Sequence, residues 1–225
     1  MRAALSVVIP TWNADAELPA CLAALMEGLE AGMIRELVVS DGGSSDRTLQ
    51  IADAAGALIL RGAASRGGQL QRGAQAAGGD WLLFLHADTV LPVGWSAAVT
   101  AQMGQGGAAA FRLSFDAIGL MPRLVAGWAN LRSHVLGLPY GDQALLIERA
   151  RYEAVGGFAD IPLMEDVAMA RALKGRITLL PLAIKTSAAR YRRQGWLWRG
   201  TRNLWTLVRY LCGADPVRLA AAYRR

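Results

Sequence analysis

Short apolar runs alternate with amphipathic stretches through the first 85 residues, and this alternation restricts the chain to a sheet with helical crossovers. Leu5–Ile9 is apolar and β-branched, as a buried strand requires. Ala16–Leu29 follows with helical spacing, Leu18, Leu22, Leu25, Met26 and Leu29 falling on one face. The pattern then predicts a strand at Glu36–Val39 and a helix at Asp46–Ala55 capped by Ser44 or Ser45. A strand at Ala57–Leu60, a helix at Gln69–Ala77 ended by Gly78-Gly79, and a strand at Trp81–Leu85 complete the series. Repeated βα units imply a Rossmann-like, mostly parallel sheet flanked by helices.

The second half is less regular. Helices are expected at Gly94–Met103, Leu120–Leu136, Glu165–Leu173, Gly195–Leu211 and Pro216–Tyr223, with Pro122 tolerated in a first turn. Strands are expected at Ala108–Phe115 and Ala144–Ile147, with a turn at Gly156-Gly157-Phe158. Leu179–Ile184 contains Pro181 and reads as an edge strand or two short pieces. The expected division is a domain over 1–190, with a nucleotide-binding half at 1–105 and an acceptor half at 106–190, and a helical extension at 191–225 packed on it.

Composition narrows the function classes. At 225 residues, about half of them apolar, the chain can bury one large core. Its net charge is +6 and nearly all of its basic residues are arginine, which suits bidentate contact with phosphate or carboxylate. No zinc-finger or ribonucleoprotein pattern points to nucleic acid. Cys21 and Cys212 are far apart, without ligand or redox spacing, and His86 and His134 are the only histidines. No apolar run reaches bilayer length, and the start is read as a first strand, giving a cytoplasmic protein.

Four sites carry candidate chemistry: Ser40-Asp41-Gly42-Gly43-Ser44-Ser45-Asp46, His86-Ala87-Asp88, Gly141-Asp142-Gln143 and Glu165-Asp166. The first two follow apolar runs, and ligands of open α/β sheets bind at the carboxyl ends of strands. Asp41 can accept from a base or ribose hydroxyl, or cap a plain turn. Asp88 is a hard-cation ligand, Mg²⁺ or Mn²⁺ with a nucleotide diphosphate completing the shell, or a turn cap. Glu165-Asp166 opens a helix, as general base or as first-turn charge. Arg66-Gly67-Gly68-Gln69 precedes a helix whose amides are placed for a phosphate. The arginine- and tryptophan-rich tail is either an amphipathic helix that packs on the domain and exposes its arginines, or one that lies on an anionic membrane or covers the mouth of a phosphate site.

Together with Pro10-Thr11-Trp12-Asn13, these sites resemble the family 2 glycosyltransferases of GT-A fold, from about Leu5 to Ser187. Phe84–Thr89, Tyr140–Gln143 and Gly156–Val167 look like a compact subgroup of arsenosugar-biosynthesis-type, or radical-SAM-associated, glycosyltransferases. The resemblance implies an inverting transfer from a nucleotide sugar to an acceptor hydroxyl, small-molecule or lipid-linked. It places Pro10, Thr11, Asn13, Asp41, Gly42, Asp46, Arg66, Gln69, His86 and Ala87 about the donor nucleotide. It gives Asp88 the divalent metal, Asp166 the base role with Glu165 positioning it or the acceptor, and Gly141, Asp142 and Gln143 the sugar or acceptor. Two departures stand out: His86-Ala87-Asp88 replaces the usual Asp-x-Asp, and Ala14 separates Asn13 from the next acid, Asp15. The competing readings are a nucleotidyltransferase and a non-catalytic nucleotide-sugar or membrane-surface binding protein. Homodimerisation and peripheral contact with the inner membrane face are left open.

Overall fold

The computed structural model describes residues 3–224. Eight strands form one sheet: β1 (Leu5–Thr11), β2 (Ile34–Asp41), β3 (Leu58–Arg61), β4 (Trp81–Phe84), β5 (Thr89–Val90), β6 (Ala108–Phe115), β7 (Leu145–Glu148) and β8 (Thr178–Thr186). Their order is β3-β2-β1-β4-β7-β6-β8-β5. β3, β2, β1 and β4 pair in parallel, and so do β6 and β8. β7 runs antiparallel to both β4 and β6, and β5 antiparallel to β8.

Side-chain alternation along β1 splits the core into two layers. Leu5, Val7 and Ile9 join Leu18, Cys21 and Leu25 of α1 (Leu18–Glu30) and Trp95 and Val99 of α4 (Trp95–Gln105). Val8 faces the other way, with Leu70 and Ala74 of α3 (Arg66–Ala76), Tyr152 of α6 (Arg149–Ala154) and Met169 of α7 (Glu165–Ala172). On α1 the buried positions are Leu18, Cys21, Leu25 and Gly28, whereas Met26 and Leu29 are exposed. The apolar face of α1 is therefore narrower than its leucines predict, because Cys21 and Gly28 occupy the contact line.

Three expectations are revised. α2 (Thr48–Ala54) takes no side-chain cap from Ser44 or Ser45; Asp46 Oδ1 instead accepts the Thr48 N–H at 3.0 Å. β8 is continuous through Pro181, which falls where the register with β6 slips, so the missing donor sits in a bulge. α6 is a short helix the pattern did not predict.

β7 has the largest consequence for the site. Because it is antiparallel to β4, Leu145 at its start pairs with Phe84 at the carboxyl end of β4. The 3-10 turn Gly141–Gln143, just before β7, thereby reaches the same sheet edge as Asp41 and His86–Asp88.

α5 (Leu120–Leu136), α8 (Ala189–Gln194), α9 (Trp196–Leu211) and α10 (Pro216–Arg224) complete the fold. Tyr191 and Trp196 pack with Leu113, Phe115 and Ala126. Leu207 and Tyr210 pack with Leu138, Tyr140, Met164 and Val167. The face that α9 turns inward includes Arg199, Thr206 and Leu207, while Leu197, Trp198, Leu204 and Trp205 are exposed. The helix thus packs on the domain with Arg199 buried and Arg209 exposed, and leaves part of its apolar side uncovered.

Candidate active site

The loops after β1 and β2 are tied together by a closed set of hydrogen bonds. Asp41 is buried, and its two oxygens accept from Thr11 Oγ1 at 3.0 Å, Ser44 Oγ at 2.5 Å, and the Gly43 and Ser44 amides at 2.8 Å each. Burial works against its charge, but the bonds from Ser44, Gly43 and Thr11 outweigh it and hold the carboxyl below its usual range. Four partners match the acceptor capacity of a carboxylate, so Asp41 shapes this loop with both oxygens. Asn13 stands in the left-handed region at φ 48° and accepts from the Ser45 amide at 2.9 Å. Asp46 Oδ2 accepts the Asp15 N–H at 3.1 Å. Gln69 is likewise committed, its Nε2 donating to the carbonyls of Thr11 and Ser40 at 2.8 Å each. Gly42 donates its amide to the Thr11 carbonyl at 2.9 Å, and Pro10 pairs in register with Ser40.

Three amides in the first turn of α3 are already bonded within the protein. Gly67 N–H donates to the Ile161 carbonyl at 3.2 Å, and Gly68 and Gln69 N–H donate to Ser65. A Cβ at Gly67 would run into the Ala159 carbonyl, which explains the glycine by packing. The guanidinium of Arg66 is what this turn offers a ligand.

Arg66 lies 3.5 Å from Glu165 Oε1; its side chain is 38% exposed and that of Glu165 1%. Neither Glu165 oxygen has a hydrogen-bond partner among the described residues. Burial raises the Glu165 pKa against the pull of Arg66. Burial also opposes the Arg66 charge, but Glu165, Asp166 and Asp88 together keep its pKa above the ordinary value. Arg66 thus stands within the field of three carboxylates from two different loops.

Asp166 Oδ2 accepts the Gly141 N–H at 2.8 Å and its Oδ1 accepts the Val167 N–H at 2.7 Å. Met164, at φ 67°, supplies the sharp turn into α7 that puts both acids in its first turn. Burial and the nearby Arg66 push His86 down to about 3, so its imidazole is neutral. Burial pushes Asp142 up to about 6, with Arg132 opposing and Asp166 and Asp88 adding to the push. Asp142 Oδ1 has no hydrogen-bond partner among the described residues. Ala87 packs against the core and leads directly to Asp88.

Gln143 is wholly buried, and its carboxamide bonds to the Phe111 carbonyl at 2.9 Å and to Ser133 Oγ at 2.6 Å, so it anchors its turn. The sequence reading missed Arg132, which donates to the Leu138 carbonyl at 3.0 Å and stacks 3.4 Å above the Tyr140 ring. Arg132 and Ser133 lie on the α5 face that also buries Ala126 and Ala129, and that polar pair on an apolar stripe was the available signal.

A small cleft lies against Phe84, His86, Tyr140, Gly141, Glu165 and Asp166. A second lies between α5 and α9, with Arg132, Asp142 and Tyr191 on its wall. Gly141 and Asp142 separate the two. Among the described residues no three His, Cys, Asp or Glu side chains gather as a ready-made metal cage.

The profile described as "Glycosyl transferase family 2" matches residues 6–134, more than half of the chain. A PGL/p-HBAD biosynthesis glycosyltransferase of Mycobacterium tuberculosis is 41% identical over 93 residues. That match covers 38% of this chain and 36% of the relative, so the chain spans about a third of the length of the curated relatives it matches. Among solved structures, S. aureus TarS 1-349 in complex with UDP-GlcNAc superposes with a TM-score of 0.59 at 16% identity, over 82% of this chain and 58% of that one. Glucosyl-3-phosphoglycerate synthase from Mycobacterium tuberculosis, in complex with Mn²⁺, UDP and glucosyl-3-phosphoglycerate, gives 0.59 at 19% identity, over 94% and 81%. The curled, mostly parallel sheet flanked by helices matches these GT-A glycosyltransferase structures. The chain belongs to glycosyl transferase family 2.

Proposed function

We propose that this protein transfers a sugar, with inversion, from a nucleoside-diphosphate sugar to an acceptor hydroxyl, with Asp166 as base and Asp88 as metal ligand. The observation that carries the proposal is the meeting of Asp166, Glu165, Asp142, Asp88 and Arg66 at one sheet edge, drawn from four separate loops. Family membership favours glycosyl over nucleotidyl transfer, and neighbours solved with UDP ligands favour a uridine donor. The motifs around His86-Ala87-Asp88 and Gly156–Val167 favour the compact arsenosugar-type subgroup and a small hydroxylated acceptor.

Each Asp166 oxygen accepts one backbone N–H, which leaves a lone pair on each for the acceptor hydroxyl. The acceptor oxygen forms a bond to the anomeric carbon as the bond to the diphosphate breaks, and Asp166 takes the hydroxyl proton. Neutral His86, against Gly141, holds the turn that orients Asp166. Arg66 supplies positive charge for the departing diphosphate, and Glu165 keeps that guanidinium in place.

A donor set with few carboxylates fits a cation that keeps water and phosphate oxygens in its shell, as Mg²⁺ and Mn²⁺ do. Asp88 would hold it, and when bound it would neutralise charge on the leaving diphosphate.

Thermal melting with a panel of nucleoside diphosphates and nucleotide sugars, with Mn²⁺, Mg²⁺ or chelator, tests the proposal. One nucleoside diphosphate should raise the melting temperature only with metal, and Asp88→Ala should remove that rise. No shift with any nucleotide would leave the binding reading without a ligand and reject the donor site.

A further inference from the structure

We propose that the face formed by α5 and α9 docks on the surface of an anionic lipid bilayer. On α5, Leu120, Leu124, Trp128, Leu131 and Val135 are exposed, and their spacing of four, four, three and four puts them on one stripe. On α9, Leu197, Leu204, Val208 and Leu211 form a second exposed stripe, with Trp198 and Trp205 along its margin. Trp128 and Leu204 border the same cleft between the helices, so the stripes make one continuous surface. Soluble domains rarely expose large contiguous apolar patches. Among the described residues no helix is long and apolar enough to cross a membrane, so this face would lie on a bilayer.

Charge selects the occupant. From Ala117 to Gly141 the sequence has no acidic residue, and from Ser187 to the last residue nine arginines face one acid, Asp215. Asp116 and Asp215 are paired with Arg192 and Arg218, while Asp142 sits on the wall of the cleft between the two helices with its Oδ1 enclosed. Arg123 on α5 and Arg209 on α9 are exposed beside the stripes, and Arg190 and Arg193 extend the basic rim from α8. Lys174 and Arg176 flank Gly175, which packs against Gly137 at the end of α5. Tryptophans beside arginines at the margin of an apolar face suit the headgroup level of a bilayer. Two copies joined through this face would bring their basic rims together, which disfavours self-association.

The proposal is independent of the catalytic reading, and its test uses no donor. The full chain is sedimented with vesicles of phosphatidylcholine alone, or with about a third phosphatidylglycerol. Binding is expected on the anionic vesicles only, with a blue shift of tryptophan fluorescence. Leu131→Glu with Trp205→Glu, both at exposed positions, should weaken binding by about tenfold or more while the melting temperature holds. Arg209→Glu should weaken it further in low salt than in high. Absence of binding to anionic vesicles, or binding indifferent to these substitutions, overturns the proposal. So does a concentration-dependent dimer that the double substitution dissolves, which would assign the face to a second copy.

Discussion

The amide of Gly141 donates to Asp166 Oδ2 at 2.8 Å, across 25 residues of sequence. Gly141 is confined from its other side as well, because a Cβ there would stand 2.5 Å from His86 Nε2. The glycine therefore sets the distance between a neutral imidazole and the proposed base. Gly141→Ala should displace either the His86 ring or the Gly141 amide, and so loosen Asp166. We expect turnover to fall by about tenfold to a hundredfold, in line with a misplaced catalytic group, with donor affinity little changed. Steady-state kinetics beside donor titration checks this; loss of donor binding alone would show that the turn serves the nucleotide instead.

Asp166→Asn retains one carbonyl oxygen for one of the two backbone donors but turns an NH₂ toward the other. A melting-temperature loss worth about 1 kcal/mol is therefore expected even without a catalytic role. Turnover should drop by at least about a hundredfold, while donor binding stays within a few fold. Equal losses in binding and turnover would remove Asp166 from the base role.

Arg66 and Glu165 form an unequal pair, one partner partly open to water and the other enclosed. Arg66→Ala leaves the enclosed carboxylate without its counter-charge. Because the arginine is partly solvated, the cost is discounted from that of a fully buried pair to about 1–3 kcal/mol. Glu165→Gln in the same chain should recover most of that loss, since the uncompensated charge is gone. A double-mutant cycle by denaturant unfolding measures the coupling. Additive losses would mean that the pair is not coupled, and that Glu165 is neutral in the free protein.

β6 and α5 coincide with their sequence-predicted bounds, and β1, β2 and β4 lie within a few residues of theirs, because buried strands announce themselves by composition. Strand direction is a different matter. Ala144–Ile147 reads as a strand from its apolar run, but its antiparallel course depends on β4 and β6 already being in place. That course delivers Gly141 and Asp142 to the site, so an element that was legible had an illegible consequence. The same holds for Asp41 and Gln69. Their types suggested ligand contact, yet their long-range partners, Thr11 for Asp41 and Ser40 for Gln69, come from chain segments whose proximity no local pattern encodes. Pro181 cannot donate within a ladder, and β8 stays one strand rather than two pieces because the fold accommodates it by slipping register.

Asp142 combines a buried, partnerless Oδ1 with a pKa raised to about 6, against about 3.9 in an unfolded chain. Its folded value is the higher one, so the protonated form is the one the fold favours. The stability linked to that form is fully present below about pH 4 and is lost as pH rises through about 6. Asp142→Asn keeps the shape without the charge. It should therefore stabilise the free protein by about 1–3 kcal/mol at pH 7, and the gain should fade toward zero near pH 4. His86 titrates in the opposite sense: its lowered pKa confers stability above about 6.5 that is lost as pH falls. Both proteins carry His86, so its contribution cancels in the comparison. Calorimetric melting of the two proteins at steps between pH 4 and pH 7 reads the difference directly. A gain that is the same at every pH would mean that the ionised carboxylate is not its source. A gain at pH 7 accompanied by lost turnover would identify Asp142 as a charge kept for its ligand at the expense of the fold.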